Sequence, residues 1–134
     1  MAILIDGWNL IRCEESGFAD ENEDALDSAR TLISYLGRFQ EAHNDPIVLV
    51  FDSTNEFLDT GYRSTDKLRV VASRDADEYI KRYVEDIPEK QRRNIRVVSS
   101  DAGIYYYVRS AGAIPIRSAE FWKRLTGERG ICIR

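Results

Sequence analysis

Three short apolar runs in this 134-residue chain each give way to an aspartate. Ile3-Leu4-Ile5 stops at Asp6, Ile47 to Phe51 stops at Asp52, and Ile95 to Val98 leads through Ser99-Ser100 to Asp101. Runs this short read as strands buried on both faces, the habit of parallel sheets. The stretches between them read as helices. From about Glu23 to Ala42, Ala25, Ala29, Leu32, Leu36 and Phe39 keep helical spacing, with Leu26 and Ile33 beside them. Asn44-Asp45-Pro46 ends that helix. Residues 75–87 form another, with Ile80, Tyr83, Val84 and Ile87 on its buried face and Pro88 as its stop. Asp75 and Glu78 have the spacing of a capping box, with Asp in place of the usual Ser or Thr. A short helix runs from Asp101 through Ala111, and Ser118 opens a last one that Gly127 and Gly130 end. Leu68 to Ala72 reads as a short edge strand, Ala113 to Ile116 as a short parallel strand, and residues 131–133 as a final edge strand. Residues 12–22 and 53–65 read as polar loops, the second beside the site. Strands alternating with helices predict an α/β chain: one three-layer α/β/α domain over residues 1–134 with a mainly parallel central sheet.

In an open α/β sheet, ligands bind outside the carboxyl ends of the strands. If the three runs are parallel neighbours, Asp6, Asp52 and Asp101 converge on one edge. Asp77, inside the first turn of the 75–87 helix, adds a fourth carboxylate, while Asp75 suits the cap. Several like charges in one pocket repel and raise one another's pKa unless a cation neutralises them. An all-oxygen donor set selects Mg²⁺ or Mn²⁺, ions that activate water and stabilise charge on a phosphoryl group. Each acid also has a plainer reading. Asp6 and Asp52 could bond loop amides, Asp101 could cap its helix, and Asp77 could be an ordinary first-turn acid.

Composition narrows the chemistry further. The single histidine, His43, rules out a histidine-rich zinc site and leaves little for a triad. Cys13 and Cys132 have no metal-ligand spacing, which suits a reduced, cytoplasmic setting. No apolar run is long enough to span a membrane. The net charge of −4 hides an asymmetry. Residues 1–60 hold 13 acidic against 3 basic side chains, residues 61–96 hold 7 against 10, and residues 97–134 hold 3 against 6. Such a distribution fits either a local phosphate-binding face or a solvated, salt-bridged surface. Arg30 reads as a partner for a carboxylate or phosphate, or as a surface ion pair. Arg74, Lys81 and Arg82 flank Asp77 as phosphate contacts or as the solvated face of their helix. Trp8, Tyr62 and Tyr105 to Tyr107 are candidates to stack on unpaired bases, with packing the better reading for at least one tyrosine.

Six motifs in order carry a family resemblance: residues 5–11 (IDGWNLI), Ala29-Arg30, residues 50–52 (VFD), residues 76–80 (ADEYI), residues 99–101 (SSD), and Gly112-Ala113 with residues 118–121 (SAEF). Together they resemble the NYN domain, specifically its YacP-like branch, within the PIN-like ribonuclease superfamily. The resemblance covers nearly the whole chain. It implies a metal-dependent endoribonuclease that cuts single-stranded or unpaired RNA, free or presented by a ribosome or other large complex. It also implies an acidic pocket of Asp6, Asp52, Asp77 and Asp101. Asp6, Asp77 and Asp101 would hold the ion and Asp52 would complete or buttress the shell. Asn9 would act as a polar ligand or water-positioner, with Trp8, Arg30, Arg74 and Lys81 toward the substrate. Gly7 would let the backbone turn closely under the ligand. Trp8 stands where the branch usually has Tyr, Asp75 where Thr is common, and Gly103 where many wider NYN members carry a further Asp.

Two other classes fit parts of the pattern. The acidic charge and Gly103 suit an inactive RNA- or ribosome-binding module of the same fold. A receiver or small-phosphatase domain fits less well, since Asp6 lacks a nearby second Asp and no Lys follows a late strand in the receiver manner.

Overall fold

In the computed structural model, which describes residues 2–13, 25–52 and 63–127, five strands form one sheet in the order β3-β2-β1-β4-β5. They are β1 (Ala2–Asp6), β2 (Ile47–Asp52), β3 (Leu68–Ser73), β4 (Ile95–Val98) and β5 (Ile114–Ile116). Every pairing is parallel. The expected strand over residues 131–133, Cys132, Tyr62 and most of both expected loops lie outside the described residues.

Successive side chains of a strand point to opposite faces, so each strand supplies two cores. Ile3 and Ile5 of β1, with Ile47, Leu49 and Phe51 of β2, pack on one face. Helices α1 (Gly7–Arg12), α2 (Ala25–Ala42) and α5 (Ser118–Gly127) cover it through Leu10, Leu32, Leu36, Phe39, Phe121, Trp122 and Leu125. On the other face lie Leu4, Val48, Val50 and Val97. Helices α3 (Ala76–Glu85) and α4 (Ala102–Ala111) cover these with Ile80, Val84, Ile104 and Val108. The result is the three-layer α/β/α arrangement, with β3 at an edge as its charged flanks predict.

Two elements go beyond the sequence reading. Residues 7–12 form α1 immediately after β1, and six residues are too few to display a helical period. Glu89–Asn94 form a 3-10 turn in a charged stretch with no apolar residue to reveal it. The cap of α3 forms as read on one side, where Asp75 Oδ1 accepts from the Glu78 N–H at 3.0 Å. The reciprocal half of the box does not form, because Glu78 pairs with Arg82 and the Asp75 N–H donates to Ser73.

The strand order places the site. The chain builds β2 and β3 on one side of β1, then crosses to build β4 and β5 on the other. The switch point therefore falls at the carboxyl ends of β1 and β4, where a crevice opens in folds of this kind. Asp6 ends β1, and Ser99-Ser100-Asp101 follow β4.

Candidate active site

A cavity of about 450 Å³ opens at the carboxyl edge of the sheet, lined by Asp6, Trp8, Asn9, Arg12, Asp52, Ala76 and Asp77. Three of the four carboxylates singled out in the sequence thus share one wall. Asp101 stands beside them rather than in the lining. Its Oδ1 accepts from the Ile104 N–H at 3.1 Å, so it caps α4, yet its charge still acts on both Asp6 and Asp77.

Asp6 is 8% exposed. Burial raises its pKa, and the charges of Asp77 and Asp101 raise it further, to about 6. The Asn9 backbone N–H and the Ser99 hydroxyl, which donates to Oδ2 at 3.4 Å, oppose the rise. Asp77 is raised by burial first, then by Asp101, Asp75 and Asp52, with Lys81 acting against them. Asp6 and Asp77 therefore feel the carboxylates around them. Among the described residues, no three Asp, Glu, His or Cys side chains converge tightly enough to cage an ion as they stand. The donor set suits Mg²⁺ or Mn²⁺ held through one or two carboxylates with the remaining positions filled by water, the habit of Mg²⁺ in proteins.

Asn9 does more for the scaffold than the sequence suggests. Its Oδ1 accepts from the Ser100 N–H and from the Ser118 hydroxyl, each at 2.7 Å. The Ser118 N–H in turn donates to Ser100 Oγ at 3.0 Å, and the Asp101 N–H to Ser99 Oγ at 3.1 Å. One side chain thus ties α1, the β4–α4 turn and the start of α5 together behind the acids. Trp8 is likewise anchored. Its Nε1–H donates to the Asp52 carbonyl at 2.6 Å, and its ring lies tilted on Phe51 with centroids 4.7 Å apart. Gly7 packs closely on the core: a Cβ there would come within 2.5 Å of the Phe51 ring. At Gly103 a Cβ would sit 3.1 Å from Asp101 Oδ1, close against the cap.

The basic residues divide. Arg12, which sequence reading missed because α1 itself was unread, is the cation that lines the cavity, and its guanidinium stands 5.8 Å from the Trp8 ring centroid. Arg30 pairs with Asp27 at 3.8 Å along α2 and is not brought into the cavity. Arg74 is exposed on the turn before α3 and does not line it. Lys81 lies one turn beyond Asp77, with Nζ 5.3 Å from the Tyr107 ring centroid. Of the tyrosines, Tyr107 donates from its hydroxyl to Glu85, which pushes its pKa up to about 12. That ring belongs to the packing of α3 against α4. His43 stacks on Phe39 at the end of α2, outside the cavity lining.

Fold and site together define an α/β domain with an acidic crevice at a parallel-sheet switch point. The sequence profile of the YacP-like NYN domain matches residues 3–130, and the chain belongs to that family, one of ribonuclease type. Among solved structures it is similar to Rae1 (YacP) from Bacillus subtilis, at 19% identity and a TM-score of 0.74 over 95% of this chain and 74% of that one. A tryptophan-to-leucine variant of the same Bacillus subtilis protein gives 18% identity and a TM-score of 0.72, over 94% and 75% of the two chains. At that identity the likeness is one of fold. No curated protein matches the sequence significantly.

Proposed function

We propose that this chain is a metal-dependent endoribonuclease that hydrolyses phosphodiester bonds in single-stranded or unpaired RNA. The observation that carries the reading is the shared cavity of Asp6, Asp52 and Asp77 with Asp101 at its flank, in a chain of a ribonuclease-type family. Asp6, Asp77 and Asp101 would hold Mg²⁺ or Mn²⁺, and Asp52 would complete or buttress the shell. Bound there, the ion supplies Lewis-acid chemistry on phosphoryl oxygens and lowers the pKa of water. Arg12 reaches the entering phosphate, the natural role of the cation in an otherwise acidic wall. Trp8 offers its ring beside that phosphate, and Asn9 holds the acid-bearing turns at fixed spacing. Lys81 moderates the repulsion around Asp77.

Cleavage of a labelled unpaired RNA with Mn²⁺ or Mg²⁺ tests the reading. The parent cuts, EDTA stops it, and Asp77→Asn lowers the rate at least a hundredfold with the fold retained. Equal rates for parent and variant would remove Asp77 from the machinery. A second reading, a binding module that has kept the fold, draws on the lack of a preformed three-carboxylate cage among the described residues. RNA binding in EDTA with no cleavage under any divalent ion would favour it.

A further inference from the structure

Among the described residues, some arginines serve the scaffold through ion pairs or carbonyls. Arg82 and Arg124 pair with Glu78 and Glu120, and Arg92 donates to three carbonyls. Arg117 differs. It is exposed, its guanidinium makes no ion pair or hydrogen bond among the described residues, and it lies 4.2 Å from the centroid of the Tyr105 ring. Tyr105 meets Tyr106 edge to face with centroids 5.5 Å apart, and Tyr106 is 55% exposed. An exposed cation–aromatic contact adds only about 0.5–1 kcal/mol, so stability gives little reason for an exposed arginine to sit on half-buried Tyr105 beside exposed Tyr106.

Position supplies the reason. Arg117 follows β5 directly and precedes Ser118, which is clasped to Ser100 and Asn9. Tyr105 lies one turn into α4 from Asp101 and donates its N–H to the Asp101 carbonyl at 2.9 Å. The pair therefore stands at the carboxyl edge of the sheet, on the β5 side of the acids. On the β2 side, Trp8 is fixed over Asp52 with Arg12 beside it. Two arginine–aromatic pairs thus bracket the carboxylates, β2 and β5 being about 14 Å apart at the usual strand spacing.

Resting on the ribonuclease reading, we propose that Tyr105, Tyr106 and Arg117 form a second nucleotide subsite, which stacks an unpaired base and contacts its phosphate while the scissile bond lies over the acids. Aromatic rings and the guanidinium plane are the surfaces on which unpaired bases stack. RNA enters by displacing Arg117 from Tyr105 or by extending the existing stack.

The test is binding of a fluorescein-labelled oligoadenylate to the full chain in EDTA, read by anisotropy, beside a duplex of the same length. Tyr105→Ala and Arg117→Ala each weaken single-strand binding about tenfold, with circular dichroism unchanged and melting lowered only slightly. Arg117→Lys recovers less than half of that loss, because an ammonium lacks the stacking plane. Duplex binding falls less than single-strand binding. Parent-like affinity in both alanine variants overturns the subsite, as does an equal loss for duplex and single strand, the mark of charge alone. If the parent cuts RNA with Mn²⁺ while the variants bind as it does, the subsite alone fails. A parent that neither binds nor cuts RNA overturns both readings.

Discussion

Asp6 is a carboxylate held where a carboxylic acid is more comfortable. Raising its pKa from 3.8 to about 6 corresponds to about 3 kcal/mol of folding free energy lost when it ionises in the native state without a cation. Because the folded pKa is the higher one, the metal-free protein is relatively most stable below about pH 4 on this account. It loses that advantage as pH rises through about 6. Asp6→Asn keeps an acceptor for the Ser99 hydroxyl and removes the charge. In EDTA at pH 8, urea unfolding of this variant is expected to show stability raised by about 1–3 kcal/mol, with the gain vanishing near pH 4. A variant less stable than the parent at pH 8 contradicts the burial penalty. Gly7 makes the opposite case. Alanine is intrinsically the better helix residue, but its Cβ would fall 2.5 Å from Phe51, whose ring is fully buried. Gly7→Ala is expected to cost about 1–3 kcal/mol by urea unfolding, the range for overpacking. The glycine of residues 5–11 thus has a packing reason to be glycine, which apolar spacing alone does not show.

Between elements, Arg92 is the clearest fastener. Its Nε donates to Ile87 O at 3.0 Å, Nη1 to Ala111 O at 3.3 Å and Nη2 to Glu85 O at 3.3 Å. Those carbonyls lie at the carboxyl ends of α3 and α4, where backbone acceptors lack helical partners and a cation meets the negative end of the dipole. Arg92→Ala is expected to lower stability by about 1–3 kcal/mol, with Arg92→Lys recovering a minor part because a single nitrogen cannot reach three carbonyls that the spread guanidinium fork spans. Thermal melting of the two variants checks the order. The contrast with the acids shows what a sequence displays. Strands and long helices announce themselves through apolar spacing, and an Asp at a strand end inherits its position from the strand. Arg92, Asn9 and Arg12 carry no such signal. Arg92 acts from a turn made only of polar residues, Asn9 on partners 91 and 109 residues away, and Arg12 from a helix too short to show a period. Sequence therefore reached Asp6, Asp52 and Asp77 in one cavity but assigned Arg30, not Arg12, toward it.

At the scale of the whole molecule, the topology gathers carboxylates that raise the pKa of Asp6 and Asp77. Strand order collects the acids near the switch point, the Asn9 clasp ties the turns beside them, and the proposed ion would offset their repulsion. A divalent ion that binds the native state alone stabilises it by mass action, about 2.7 kcal/mol at a hundredfold excess over its Kd. Mn²⁺ is accordingly expected to raise the melting temperature of the parent in a concentration-dependent way at pH 7–8. Protons compete with the ion at Asp6, so the same titration at pH 5, below the Asp6 pKa of about 6, should need several times more Mn²⁺ for an equal shift. Asp77→Asn and Asp6→Asn should each lose most of the response, whereas Arg92→Ala, less stable from the outset, should keep it in full. That separation matters, because a general effect of Mn²⁺ on charged surface would persist in all three variants. No shift in the parent at millimolar Mn²⁺ would leave the acids without their ion and move the balance toward a binding module that has kept the fold.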